Sequence, residues 1–140
     1  MRNPHDRGAV AVEFAIIAPL LLLVIFMIFD AGRYWFVQIS LVNATSQAAR
    51  SLANGGTTGS AQSIMSQAAA SALTLSQAPS LGTNATGCTL VSGERWASAS
   101  ANLDFVFLSP VGWFLRINPN STATDSLNVS STSRWVCPAT

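Results

Sequence analysis

The chain has 140 residues, enough for one small domain, and its formal net charge at pH 7 is +1. All seven cations are arginines, and they lie scattered along the sequence, so no basic patch indicates nucleic-acid binding. Hydrophobic residues make up 49% of the chain and charged residues only 9%. The apolar residues concentrate in the first third, and the remainder is rich in Ser, Thr, Ala, Asn and Gly.

The first predicted element is an apolar helix over residues 9–29, which carry one charged residue, Glu13. At about 1.5 Å per residue these 21 residues cover about 31 Å, the thickness of the hydrocarbon core of a bilayer. A secretory signal peptide is the alternative, but its apolar run is shorter, about 7–15 residues, and ends at a small-residue cleavage site. Bulky residues at 34–36 follow this span, so we predict a transmembrane helix.

The charges that flank the span predict its orientation. Arg2, Arg7 and, when it is protonated, His5 precede it against the one acid Asp6. Behind the span, Asp30 and Arg33 offset each other. An excess of positive charge keeps the preceding end in the cytoplasm, so the remainder is predicted to be exported. Residues 34–35, Tyr-Trp, stand where an interfacial aromatic belt is expected.

Helical periodicity continues beyond the span. Apolar or small residues recur at intervals of three and four and share one face: Tyr34, Val37, Leu41, Ala44, Ala48 and Leu52. The sequence Asn-Gly-Gly at 54–56 supplies a stop. We predict one helix from Ala9 to Ala53, kinked at Pro19 because proline removes a backbone hydrogen bond. Two helices broken at residues 31–32 are the alternative.

The remaining residues predict an α+β fold. Residues 54–60 are expected to form a hinge, residues 61–76 an Ala-rich helix ended by Pro79, and residues 80–87 a loop. Short strands are predicted at 89–91, about 101–108, about 113–117 and 127–136, with a turn at 118–120. An antiparallel sheet packed on the outer half of the long helix would bury the aromatic residues Phe105, Phe107, Trp113, Phe114 and Trp135. An exposed adhesive patch is the alternative for these side chains.

Cys88 and Cys137 both lie in the polar part of the chain, at a spacing that fits neither a zinc site nor a thioredoxin-type motif. In an exported domain two such cysteines are expected to form one structural disulfide. Closing this loop of about 50 residues would constrain the unfolded chain by about 4 kcal/mol. Two unpaired thiols in a cytosolic protein are the alternative.

The sequence offers no catalytic constellation. Its one histidine, His5, precedes the span, and the acids Glu94, Asp104 and Asp125 are scattered through the polar region. We therefore predict a protein without enzymatic activity, cofactor or metal.

Glu13 needs an explanation, because a carboxylate near the centre of a membrane helix costs about 2.5–3.5 kcal/mol. Its position near the helix end lowers that cost, and snorkelling to the headgroups is one explanation. A cut after Gly8 offers another, since Ala9 would gain a free α-amine four residues before Glu13. Residues at this spacing share a helix face, so the ammonium could pair with Glu13 of the same or a neighbouring subunit.

The sequence Gly-Ala-Val-Ala-Val-Glu-Phe at 8–14, behind a short basic leader, resembles a type IV prepilin processing site. Residues 7–53 as a whole resemble the TadE-like pseudopilins of the Tad (tight adherence, or Flp) pilus system. Residues 105–110 and 127–133 are similar to the closing strands of that family. Proteins related to TadG share such an N-terminal segment but carry a longer exported region.

The resemblance implies that a prepilin peptidase cuts between Gly8 and Ala9 and that Glu13 is the acidic residue at the fifth mature position. It also implies assembly with other pilins and pseudopilins and with the inner-membrane platform of the pilus, in addition to the lipid bilayer. The implied organisation is a leader, a transmembrane helix, its exported continuation and a small exported domain, over residues 1–8, 9–29, 30–53 and 54–140.

The predicted function is that of a minor pilin or pseudopilin in Tad pilus assembly. The protein is expected in the bacterial inner membrane, with its C-terminal domain in the periplasm or outside the cell. A membrane-anchored adhesin or assembly factor that never enters a filament is the alternative.

Overall fold

One long helix forms the axis of the molecule. The structure is a computed structural model that describes residues 4–108 and 126–138, and in it α1 runs from Pro4 to Ala53. The helix continues through Pro19 and through residues 31–32, which confirms the single predicted helix over the broken alternative. Its 50 residues at about 1.5 Å each give a length of about 75 Å.

Two glycines end α1. Gly55 has a φ of 89°, a conformation that residues with a Cβ rarely adopt. The Gly56 amide donates to the carbonyl oxygen of Ser51 at 2.9 Å, which satisfies one of the free carbonyls at the end of the helix. A Cβ at position 56 would lie 2.8 Å from that same oxygen, so the reversal of the chain requires glycine there.

Two short helices, α2 (Thr58–Ala68) and α3 (Ala70–Ser76), return along α1. The predicted hinge over 54–60 was therefore too long, because Thr57 caps α2 by accepting a hydrogen bond from the Ser60 amide at 3.2 Å. The single predicted helix over 61–76 is also corrected, since Ala69, with ψ at 2°, interrupts it. The buried positions nevertheless keep helical spacing across the interruption, at Ala61, Met65, Ala69, Ala72 and Ser76.

The sheet contains three antiparallel strands, β1 (Leu81–Val91), β2 (Glu94–Val106) and β3 (Ser126–Val136), in the order β1-β2-β3. The prediction for β3 is confirmed to within one residue. The predicted loop over 80–87 was wrong, because these residues pair with β2 from Leu81 onward, and β2 itself begins seven residues before position 101. The strand predicted at 113–117 and the turn at 118–120 lie outside the described residues.

The core lies between α1 and the inner face of the sheet. Alternate residues of β2 are buried at Ala97, Ala99, Ala101, Leu103 and Phe105. They face the predicted stripe of α1, whose members from Val37 to Leu52 are all buried. Because many of these side chains are alanines, the helix can approach the sheet closely. The predicted α+β fold class, with the sheet on the outer half of the long helix, is confirmed.

The aromatic residues divide into three groups. Phe105 is fully buried, and Phe107 is half-buried with its ring centroid 5.4 Å from that of Phe105. The predicted burial of Trp135 is wrong, because this residue is 44% exposed. The centroid of its ring lies 5.9 Å from the guanidinium carbon of Arg50. Trp113 and Phe114 lie outside the described residues.

Candidate functional site

The first half of α1 is a bare apolar rod, which we define as residues 10–29. Most of its large side chains are exposed, for example Phe14 at 71% and Phe29 at 67%. Among the described elements, the α+β unit approaches the rod at its last residues, where Met27 and Phe29 lie near Leu127 and Leu75. Among the described helices, α1 is the one long and apolar enough to cross a membrane. The rod of about 20 residues is about 30 Å long, which equals the thickness of the hydrocarbon core.

Gly8, Ala9 and Glu13, the residues predicted from the pilin-like pattern, all lie at the start of α1. Residues 9 and 13 are one helical turn apart, as the predicted pairing requires. The carboxylate of Glu13 is exposed on the rod and makes no ion pair with any described residue. A Cβ added at Gly8 would meet no atom within 4 Å. The roles of these residues in processing and assembly stay predictions.

Where the rod ends, an ion pair fastens the folded unit to α1. Asp30 is 4% exposed, and its Oδ1 lies 2.8 Å from Nη1 of Arg33 and accepts a hydrogen bond from the Leu108 amide at 3.3 Å. Arg33 also donates to the carbonyl oxygen of Leu75, and its guanidinium carbon lies 5.1 Å from the ring centroid of Phe105. One pair of charges thus joins α1 to the end of α3 and to the residues after β2.

Sequence reasoning missed this junction, because it treated Asp30 and Arg33 only as charges that offset each other beside the membrane. Their spacing of three residues on a helix was the available signal, since it places two side chains side by side. Tyr34 belongs to the same region and is half-buried, with its ring centroid 5.8 Å from that of Phe105. Trp35, at 66% exposure, is the member of the predicted aromatic belt that faces outward.

A cluster of hydroxyl groups fixes β3 against α1. Thr45 is fully buried, and its hydroxyl oxygen lies 3.0 Å from the hydroxyl oxygens of both Ser131 and Ser133. The hydroxyl of Ser46 is 3.1 Å from that of Ser133. The Thr45 hydroxyl also lies 3.0 Å from the carbonyl oxygen of Leu41, so this buried group is satisfied within α1 as well as by β3.

Cys88 and Cys137 form a disulfide, as predicted, with their Cα atoms 6.1 Å apart. Cys88 lies at an irregularity in the pairing of β1 with β2, between Thr86 and Thr89. Cys137 follows β3, and its amide donates to the carbonyl oxygen of Arg95 at 2.8 Å. The bridge therefore crosses the middle strand and holds both outer strands at the end of the sheet farthest from the rod.

Two of the three acidic residues of the polar region lie in the part of the chain that the structure describes, and they lie apart from each other. Glu94 and Asp104 are both exposed, and Asp104 accepts a hydrogen bond from the Asn128 side-chain amide at 3.0 Å. Asp125 lies outside the described residues. Within residues 4–108 and 126–138, no group of three or more His, Cys, Asp or Glu side chains could hold a metal ion.

The geometry defines a class of protein in which one apolar helix, long enough to cross a membrane, carries a small disulfide-bonded α+β unit on its second half. Residues 8–50 match the model of the TadE-like protein family. This match confirms the resemblance of the N-terminal segment and covers the rod and most of the packed half of α1. The resemblance of residues 105–110 and 127–133 to the closing strands of the family stays a prediction. Comparisons with curated proteins and with solved structures gave no match. Together these findings fit a membrane protein associated with the Tad system.

Proposed function

We propose that the protein is a minor pilin or pseudopilin that takes part in the assembly of a Tad pilus. The observation that carries this proposal is the bare apolar rod, continuous with the helix that forms the core of the α+β unit. A helix satisfies its own backbone hydrogen bonds, so the rod can sit in lipid. The same surface can later pack against the helices of neighbouring subunits, where close van der Waals contacts replace those with lipid.

In this proposal residues 9–29 span the inner membrane with the preceding residues in the cytoplasm. The excess of arginine before the span supports this orientation. The disulfide supports it as well, because such bonds persist on the oxidising side of the membrane. The α+β unit is then exported, and its role is structural, because the TadE-like family supplies a pilus context and no enzymatic one.

Processing after Gly8 would convert this anchored precursor into a subunit competent for assembly. The cut removes residues 1–8, Arg7 included, and leaves an α-amine on Ala9, at the N-terminal end of the rod. A carboxylate near a helix N-terminus is stabilised by the helix dipole, and the new ammonium adds a full positive charge. Glu13 therefore acquires a partner only after cleavage, in its own chain or in the next subunit. Other pilins, a prepilin peptidase and the assembly platform are the partners this step requires.

Replacing Gly8 with alanine tests the processing step. A peptidase must approach the scissile backbone closely, so we expect Gly8→Ala to slow cleavage about tenfold, which corresponds to about 1.4 kcal/mol of activation free energy. The added methyl group meets no atom of the protein within 4 Å, so the fold itself should not respond. The measurement is the ratio of precursor to mature protein in cells that contain an active prepilin peptidase.

Gly32→Ala is the matched control, because a Cβ there also meets nothing within 4 Å and the position lies in the same helix. Both substitutions raise helix propensity by about 1 kcal/mol, so any difference between them reports on the peptidase. Equal precursor ratios in the two variants would contradict processing after Gly8.

A further inference from the structure

The end of the α+β unit nearest the rod displays an apolar surface, which we call the collar. It consists of three leucines that belong to or follow three different elements: Leu75 in α3, Leu108 after β2 and Leu127 in β3. Their exposed fractions are 37%, 64% and 46%. Leu75 and Leu108 are fixed at the level of the junction through their backbone contacts with Arg33 and Asp30.

The collar is continuous with the rod. A cavity of about 230 Å³ on one side of α1 is lined by Leu127 together with Met27 of the rod and Trp35 just beyond it. A second cavity of about 380 Å³ is lined by Leu75 together with Phe29 and Phe36. Each cavity is therefore an apolar recess in which a side chain of the α+β unit and one of the rod face the same space.

The charged side chains that line these recesses are Asp30 and Arg33, and they are paired with each other. Their side chains are 5% and 17% exposed. The ion pair thus points into the protein and leaves the collar surface apolar, which suits a layer where isolated charge is costly.

The length of the rod sets the depth of the collar. If residues 10–29 fill the hydrocarbon core, which is about 30 Å thick, residues 30–36 fall at the boundary between acyl chains and headgroups. This boundary is where aromatic residues and apolar faces of peripheral elements insert. Lipid is therefore the occupant that the position of the collar favours.

We propose that the collar is seated in the interfacial layer of the bilayer, so that the α+β unit rests on the membrane and is not held away from it. The inference depends on the proposed function in one respect, namely that the rod spans the membrane. Acyl-chain ends would occupy the two recesses beside α1, and the leucines of the collar would contact lipid directly.

Four leucines of the chain allow a matched test by photocrosslinking. A diazirine analogue of leucine replaces one leucine at a time in the otherwise native full-length protein. The positions are Leu22 in the rod, and Leu75 and Leu127 in the collar. The control position is Leu90, which is 75% exposed and lies at the opposite end of the sheet. The analogue is nearly isosteric, so the fold should be retained. Each protein is irradiated in vesicles of phosphatidylethanolamine and phosphatidylglycerol, and adducts are identified by mass.

We expect lipid adducts at Leu75 and Leu127 in yields about tenfold above the yield at Leu90, because the interfacial layer extends only about 5–10 Å from the acyl boundary. If Leu22 forms lipid adducts but Leu75 and Leu127 form no more than Leu90 does, the proposal is overturned. The membrane span itself would still be supported. Protein adducts in place of lipid at the collar would overturn it too and would assign the surface to another subunit. Absence of lipid adducts at Leu22 would contradict the spanning rod itself.

Discussion

Phe105→Ala is expected to lower the free energy of unfolding of the α+β unit by about 3–5 kcal/mol, the usual cost of removing a large core aromatic side chain. Phe105 is fully buried and contacts two other aromatic rings, of Tyr34 and Phe107, as well as the guanidinium of Arg33. Its loss would open a cavity at the junction where the unit is fastened to α1. Because small domains have total stabilities of about 5–15 kcal/mol, the variant should be close to unfolding.

The measurement is urea denaturation of the full chain in a mild detergent, followed by tryptophan fluorescence. Phe14→Ala is the matched control, because it removes the same side chain from a rod position that is 71% exposed and touches no core residue. We expect the control to change the unfolding free energy by less than about 0.5 kcal/mol. Similar midpoints for the two variants would show that the junction is not part of the folded core.

Glu13→Gln is expected to reduce the number of pili about tenfold or more, while membrane insertion and processing remain largely intact. Insertion needs no partner for this carboxylate, and removal of the charge should even make it easier. Assembly, in contrast, would lose the ion pair with the α-amine of Ala9, and a loss of about 1.4 kcal/mol per contact lowers association about tenfold. Pilus counts and crosslinking to partner pilins, at matched protein level, measure the effect.

Glu94→Gln removes the same charge from an exposed position at the opposite end of the molecule and should change neither quantity. If Glu13→Gln also gives normal pilus counts and normal crosslinking, the protein is an anchored adhesin or assembly factor and not a filament subunit. The anchor alternative predicts a silent or slightly stabilising substitution, since a costly charge has been removed from lipid.

Helical periodicity predicted the axis of the molecule because it is a local property of the sequence. The stripe from Val37 to Leu52 repeats at intervals of three and four, and the whole stripe is buried. The disulfide could be predicted because two cysteines in an exported domain usually form a disulfide bond. The α+β class followed from the change of pattern after Cys88.

Only the end of β1, at the predicted strand 89–91, could be predicted from its own residues. The sequence Leu-Gly-Thr-Asn-Ala-Thr-Gly at 81–87 is rich in types that are depleted in strands, and it becomes a strand because β2 pairs with its backbone. The first half of β2 was missed for a similar reason. Its buried alanines at 97 and 99 have low strand propensity, but their small size is what the close packing of α1 requires.

The junction could be predicted only in part. The spacing of Asp30 and Arg33 indicates a pair, but the amide of Leu108 lies 78 residues away in sequence from its acceptor, and no local pattern connects them. The exposure of Trp135 also depends on the tertiary arrangement, since β3 is an outer strand of the sheet and pairs with β2 on one side only. Contacts of this kind are fixed by packing of distant segments and not by local periodicity.

The intact mass of the native protein, extracted from membranes and alkylated without reduction, tests the central claim most directly. The proposed function predicts a chain that begins at Ala9, lacks residues 1–8 and carries no alkyl group, because Cys88 and Cys137 are joined on the oxidising side of the membrane. Reduction before alkylation should then add two groups, one for each of the two cysteines. A full-length chain with both cysteines freely alkylated, from cells with an active prepilin peptidase, would contradict both the processing and the exported position of the α+β unit.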